Sequence, residues 1–163
     1  MRVPPTSGTF LIVFTFFLAS ILQVVPLPDA MNLGRPWWIG MVLVFWVLAL
    51  PHRVGVLAGF LVGLYTDVLL GRVLGVYGIS FAVLAYLTLN SHRRLRVYGA
   101  LQQSFAVFLL LGVAAFCVHI LNSSLGKNTV SPALTLLPVL FSALFWRPLL
   151  GLLRVVQIRF MVR

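Results

Sequence analysis

The stretch "AGFLVGLYTDVLLGRVLG", residues 58–75, carries a four-residue ladder of small residues and one carboxylate within an almost wholly apolar run. The ladder consists of Gly59, Gly63, Asp67, Gly71 and Gly75. Asp67 is one of only 2 acidic residues among 163, and the other, Asp29, lies in a stretch that we predict to be a loop. Burying an unpaired charge is costly, so Asp67 needs a physical reason for its position.

The composition of the chain places it in a membrane. It is 61% hydrophobic and 9% charged, with a mean hydropathy of +1.10, and a small water-soluble domain could not cover so much apolar surface. The net charge of +10 does not indicate a nucleic-acid partner, because the basic residues fall in short groups between apolar segments. We therefore predict an all-α integral membrane protein.

Six apolar stretches are candidate membrane-spanning helices, since a crossing takes about 20 residues; the second and fourth are short, and either a locally thinned bilayer or a re-entrant course would accommodate them. They cover residues 8–26, 33–51, 54–72, 75–91, 99–121 and 133–153, and we expect them to form one transmembrane domain over residues 1–163. The stretch "SHRRLRVYG", residues 91–99, is predicted to be the loop between the fourth and fifth spans.

The basic residues predict the orientation of the spans, because positively charged loops stay in the cytoplasm. With both termini inside, the cytoplasmic side receives Arg2, Arg53, Arg93, Arg94, Arg96, Arg147, Arg154, Arg159 and Arg163. Arg35, Arg72 and Lys127 fall outside. The opposite orientation would translocate the "HRRLR" cluster, so we predict that both termini are cytoplasmic.

The ladder of small residues predicts two different structural features, a helix contact face and a tight connection. Gly59 and Gly63 form a GxxxG pair, which lets another helix approach closely within a membrane. Gly71 and Gly75 lie beyond the end of that contact face and are expected to shape a tight connection to the fourth span. The first pair is therefore a candidate interface, either with another helix of the chain or with a partner.

Asp67 is expected to lie about 10 Å from the outer face. Its candidate partners are Arg35, at the start of the second span, and Arg72, five residues along its own span. Arg147 belongs about 11 Å deeper, which argues against a direct pair. We expect one of two roles for Asp67. It is either a structural pin, a polar contact that holds two helices together, or one member of a proton relay that could include His119.

Motifs for catalysis are missing from the sequence. It contains no paired carboxylates, no His/Cys metal spacing, no GxSxG and no Walker loop. We therefore predict a protein without enzymatic activity, cofactor or metal.

Three segments together resemble a known family: "RPWW" at 35–38, "WVLALPHRVGVLAGFLVGLYTDVLLGRVLG" at 46–75, and "LAYLTLNSHRRLR" at 84–96. They look like the MreD family of bacterial rod shape-determining proteins. The resemblance implies a six-helix inner-membrane protein that works with MreC and, through MreC, with MreB filaments, RodA and its penicillin-binding transpeptidase. It also implies a fold similar to the substrate-binding subunits of energy-coupling-factor transporters.

Two functions are consistent with these features. The first is a membrane scaffold that docks MreC, with the ladder residues as interface candidates and Arg35, Pro36, Trp37 and Arg72 as candidates at the outer edge. The second is a protein that binds or transports a small molecule or a lipid-linked precursor. The basic cluster of Arg53, Arg93, Arg94 and Arg96 would contact acidic partners or anionic lipid headgroups, or would only set the topology.

Overall fold

The computed structural model of the chain describes residues 5–26, 34–127 and 131–159, and every regular element among them is helical. The six main helices are α1 (Pro5–Val24), α2 (Trp38–Ala49), α3 (Val56–Leu69), α4 (Val76–Val97), α5 (Ala100–Ser124) and α6 (Leu137–Arg159). A four-residue helical turn, Pro132–Thr135, precedes α6. The predicted loop residue Asp29 and the terminal Arg2 and Arg163 lie outside the described residues.

Each predicted span overlaps one of these helices, but two of the predicted C-terminal ends are wrong by more than one helical turn. α4 continues to Val97 and includes most of the segment that we expected to be a loop. Arginine and leucine are good helix formers, and the first residue there that favours a break is Gly99. α6 runs to Arg159, beyond the predicted end at residue 153.

Two helices satisfy the usual length and hydropathy criteria for crossing a membrane, over Leu101–Ser124 and Leu137–Arg159. Three shorter apolar helices accompany them, over Gly8–Val24, Trp38–Ala49 and Val56–Leu69.

α2 forms the centre of the bundle. Its sequence, WIGMVLVFWVLA, is apolar on every side, and its residues from Ile39 to Leu48 are all buried, as expected for a helix surrounded by other helices. α1, α4, α5 and α6 all pack against it. Its 12 residues extend only about 18 Å, less than the hydrocarbon thickness of about 30 Å.

The bundle has two ends, which we name after a residue found at each. At one end, which we call the Asp67 end, the ring of Trp37 before α2 lies 5.5 Å from that of Tyr77 at the start of α4. At the other, the Arg96 end, Arg96 of α4 contacts the last turn of α2. Val76 and Arg96 lie about 30 Å apart along α4, whereas α2, which runs between the same two ends, extends only about 18 Å.

Trp46 shows how a polar group is accommodated in this core. The sequence predicts that its indole N–H needs a partner within the bundle or in another protein, and the structure supplies one within the bundle. The Nε1 atom donates a hydrogen bond of 2.8 Å to the hydroxyl of Thr15 on α1. Trp46 is completely buried, so this contact ties α1 to the central helix.

Candidate functional site

The carboxylate of Asp67 caps the first turn of the following helix. Its Oδ2 atom accepts hydrogen bonds from the backbone N–H groups of Gly75, at 2.9 Å, and Gly78, at 3.2 Å. Its Oδ1 atom accepts one from the N–H of Tyr77, at 2.9 Å. The first N–H groups of any helix lack partners within the helix and carry its partial positive charge. The fully buried carboxylate of Asp67 gives these N–H groups an acceptor and places a negative charge at the positive end of the helix.

The turn between α3 and α4 brings these groups together. Gly71 has a φ of 60° and Gly75 a φ of 99°, a region that favours glycine because it has no Cβ. The two glycines therefore form the tight connection predicted from their spacing. The chain reverses direction within a few residues, and this places the start of α4 beside Asp67.

Gly59 and Gly63 face α4, and α4 fills the space beside them. A Cβ atom on Gly63 would lie 2.6 Å from the Cα of Gly78, and one on Gly59 would lie 2.7 Å from the carbonyl oxygen of Phe81. α3 and α4 make the most extensive helix contact in the bundle. Of the two contacts predicted for this glycine face, the structure shows the one with another helix of the chain.

The predicted ion pair of Asp67 with Arg35 or Arg72 does not form. Arg72 lies with its guanidinium 5.8 Å from the ring centre of Tyr77, and it contacts Asp67 only through the backbone, where its N–H donates to the Asp67 carbonyl at 2.9 Å. Arg35 instead donates to the carbonyl oxygens of Gln23 and, at 2.6 Å, Val25. Backbone N–H groups, rather than a cation, balance the carboxylate.

Side chains also cap both ends of the short helix α2. At its start, the N–H of Trp37 donates to the hydroxyl of Ser142 on α6 at 2.8 Å, and the N–H of Trp38 donates to the Oε1 of Gln23 at 3.1 Å. At its end, the guanidinium of Arg96 donates to the carbonyls of Leu48, at 2.9 Å through Nε, and Ala49, at 3.1 Å. In lipid such backbone groups must find partners within the protein.

Sequence reasoning missed these capping residues. The sequence does contain a sign of them, because one unusually short apolar span occurs together with isolated polar residues in other spans. However, the backbone groups that these side chains cap lie far away along the chain. Of the outer-edge candidates, Pro36 is buried and Trp37 is half-buried against Tyr77. Both lie at the Asp67 end of the bundle and pack against neighbouring residues there.

The predicted basic cluster is divided by the structure. Arg53, Arg93, Arg94 and Arg96 are all exposed, but Arg96 also donates hydrogen bonds to the end of α2. At least one member of the cluster therefore has a structural role that its position in the sequence did not reveal.

No contact within the described part of the chain joins Asp67 to His119, which is half-buried on α5. Nor do three His, Cys, Asp or Glu side chains gather there as a metal site would require. With three N–H donors on its two oxygens, Asp67 has the contacts of a structural pin.

Arg147 occupies an unusual position near the middle of α6. It was predicted near the cytoplasmic end of the last span, but ten residues of α6 precede it and twelve follow it, which places it about 15 Å from one end and 18 Å from the other. Its side chain is exposed, as are those of Leu140 and Leu144 on the same face.

The fold and these contacts define a class: a multi-helix integral membrane protein in which the buried side chains of Asp67, Gln23 and Ser142 cap the starts of helices. Comparison with known proteins identifies the family. Residues 5–156 match the model of the rod shape-determining protein MreD, so the chain belongs to the MreD family, as the resemblance predicted. Its function is thus in the determination of rod shape.

A curated relative supports this assignment. The chain is 31% identical to the rod shape-determining protein MreD of Haemophilus influenzae over 116 residues, which cover 71% of this chain and 72% of the relative. No solved structure matches the chain. The likeness to the substrate-binding subunits of energy-coupling-factor transporters therefore stays a prediction.

Proposed function

We propose that this protein is a non-enzymatic scaffold of the cell-elongation machinery that docks MreC in the inner membrane, and through MreC serves MreB, RodA and its penicillin-binding transpeptidase. The contacts inside the bundle support a structural role for the protein, because Asp67, Gly59 and Gly63 all contact other residues of the same chain. A docking surface is supported by a polar side chain on the outside of the bundle.

Arg147 is that group, and it carries the proposal. A cation near the middle of a transmembrane helix costs about 2.5–3.5 kcal/mol on insertion scales. Arg147 is exposed on a face otherwise formed by Leu140, Leu144 and Gly151, which we call the Arg147 face. Its guanidinium therefore needs an anionic or polar partner at the same depth.

Two neighbours of Arg147 suit the docking of a helix. Pro148 has no N–H and cannot donate the usual helical hydrogen bond to the carbonyl of Leu144, so an acceptor is left beside the guanidinium. A Cβ on Gly151 would meet nothing within 4 Å, so this glycine offers open space. Small residues beside polar ones are what transmembrane helices use to associate.

The chain cannot neutralise Arg147 itself. It has only 2 acidic residues, and Asp67 is fully buried at the start of α4. Asp29, the other one, falls between the first two spans in sequence, in the predicted outer loop. We infer that a transmembrane segment of MreC covers the Arg147 face and supplies an acceptor for the guanidinium.

Replacing Arg147 by leucine tests this docking. We expect Arg147→Leu to fold as well as the wild type, because leucine is favourable in lipid, and to recover about tenfold less MreC on co-purification, since an interhelical polar contact contributes about 1–2 kcal/mol. Arg147→Lys should restore part of the recovery.

The matched control is Arg159→Leu, which makes the same change at an exposed position at the end of the same helix. It should recover MreC at the wild-type level. Equal recovery of MreC by Arg147→Leu and the wild type, with both proteins folded, would place the docking surface elsewhere.

The alternative function, binding of a small molecule or a lipid-linked precursor, has less support. A groove of about 1070 Å³ runs between α1 and α6, but apolar side chains form nearly all of its lining. Its hydroxyl, on Thr15, already donates to the carbonyl of Ile12 and accepts from Trp46. The groove offers a polar solute little to bind.

The proposed orientation has both termini in the cytoplasm. A periplasm-specific reporter, such as alkaline phosphatase, fused after Arg163 is expected to be inactive, because the excess of arginine at the Arg96 end retains that end inside. The same reporter inserted at Lys127, between α5 and α6, should be active. The reverse pattern would overturn the topology.

A further inference from the structure

A cavity of about 430 Å³ opens at the Arg96 end, between the end of α2, the start of α5 and the last turns of α6. The apolar part of its wall comes from Phe45, Leu48 and Leu150. The polar part comes from Arg96, Gln103, Arg154 and Gln157. Its volume falls within the range of about 300–1,000 Å³ that is typical of small-ligand sites.

The charge of this cavity is unbalanced. Arg96 and Arg154 both line it, and no acidic residue among those that the structure describes does. Asp67 cannot compensate, because it caps the opposite end of α4, about 30 Å away along that helix. Two guanidinium groups in one cavity without an internal counter-ion favour an anionic ligand.

Three side chains direct hydrogen-bond donors into the cavity. Arg96 is held in place by its bonds to Leu48 and Ala49 through Nε and Nη2, and its Nη1 makes no hydrogen bond within the described residues. Arg154 likewise has no hydrogen bond or ion pair there. Gln103 is only 8% exposed, and its side-chain amide also has no partner in the described part of the chain.

Guanidinium groups bind phosphate oxygens in a planar, two-pronged geometry, and an amide N–H adds a further donor. The position of the cavity adds a second constraint. It lies at the end of the bundle, where α2 and α4 end and α5 begins, and its wall is half apolar. A phosphate attached to a glycerol and acyl chains matches both constraints.

We propose that the cavity at the Arg96 end binds the phosphate of an anionic phospholipid headgroup, with Arg154, Arg96 and Gln103 as its donors. The bound phosphate joins α4 and α5 to α6 at that end of the bundle. This proposal does not rest on the docking of MreC, because its donors are Arg154, Arg96 and Gln103, and Arg147 itself lies about two turns of α6 away from Arg154.

The experiment uses the full chain, stripped of lipid in a neutral detergent, and three probes: phosphatidylglycerol in mixed micelles, diacylglycerol in the same micelles, and inorganic phosphate. We expect phosphatidylglycerol to raise the melting temperature in a saturable way. Diacylglycerol and inorganic phosphate at equal concentration should not. Equal stabilisation by diacylglycerol would show that only the acyl chains bind, and equal stabilisation by phosphate would indicate a soluble anion; either result overturns the proposal.

Two matched variants locate the effect. Arg154→Gln should melt at the wild-type temperature without lipid and bind phosphatidylglycerol about tenfold more weakly, because it loses a charge-assisted hydrogen bond. Arg159→Gln removes the same charge from the same helix outside the cavity, and its affinity should stay within about twofold of the wild type. Gln103→Leu should also weaken binding. Equal weakening by Arg154→Gln and Arg159→Gln would reduce the effect to general surface charge and overturn the site.

Discussion

Replacing Asp67 by alanine is expected to lower the free energy of unfolding of the bundle by about 3–5 kcal/mol. The substitution leaves three N–H groups at the start of α4 without their acceptor, and each buried donor without a partner costs about 1–3 kcal/mol. It also removes the negative charge from the positive end of the helix dipole. Reversible unfolding in mixed micelles, followed by circular dichroism, would measure the loss.

Asp67→Asn should fall between alanine and the wild type. The asparagine keeps one carbonyl acceptor, but it turns an NH₂ donor toward N–H groups that also donate. The matched control is Thr66→Val, which changes the adjacent, equally buried side chain and removes only the bond of its hydroxyl to the Val62 carbonyl. We expect that control to cost about 1 kcal/mol. A similar cost for Asp67→Ala and Thr66→Val would contradict the capping role of the carboxylate.

Gly63→Ala is the second substitution with a large expected effect, a loss of about 2–3 kcal/mol from overpacking. The new Cβ would lie 2.6 Å from the Cα and carbonyl carbon atoms of α4. Backbone cannot rotate away as a side chain can, so α3 and α4 must move apart. The same unfolding assay, with thermal aggregation as a second readout, would detect the change.

Gly112→Ala is the control for Gly63→Ala. Gly112 lies within α5, and a Cβ there would meet nothing within 4 Å. Because alanine is the better helix former, we expect this variant to gain up to about 1 kcal/mol. If both alanine variants change stability in the same direction by the same amount, the close contact between α3 and α4 is not what requires glycine at position 63.

The two large effects should not be additive. The residues that Gly63 faces, Tyr77 and Gly78, are the ones whose N–H groups bind Asp67. Moving α4 away from α3 therefore also stretches those hydrogen bonds, and the double variant should lose less than the sum of the two single losses.

The number and order of the helices could be predicted because each depends on local properties, namely apolar length and helix-breaking residues. The tight connection at Gly71 and Gly75 could be predicted for the same reason. The end of α4 was wrong because the arginines of "HRRLR", although charged, are good helix formers. Charge indicates where a chain leaves the hydrocarbon but not where its helix ends.

The partners of the polar residues could not be predicted, since they depend on which helices pack together. Asp67 was expected to meet a cation, because opposite charges are the partners that a sequence makes visible. Backbone N–H groups are equally good partners, but every residue except proline has one, so they leave no mark in the sequence. Which helix contacts Gly59 and Gly63 likewise depends on where α4 packs, and the sequence does not show this.

The hydrogen bonds at the ends of α2 have a consequence for how the chain is made. The N–H of Trp37 finds its acceptor on Ser142, 105 residues later, and the end of α2 waits for Arg96, 48 residues after Leu48. Both ends of this helix can therefore be satisfied within the protein only after residue 142 has been synthesised. We expect the final placement of α2 to be a late step of biogenesis.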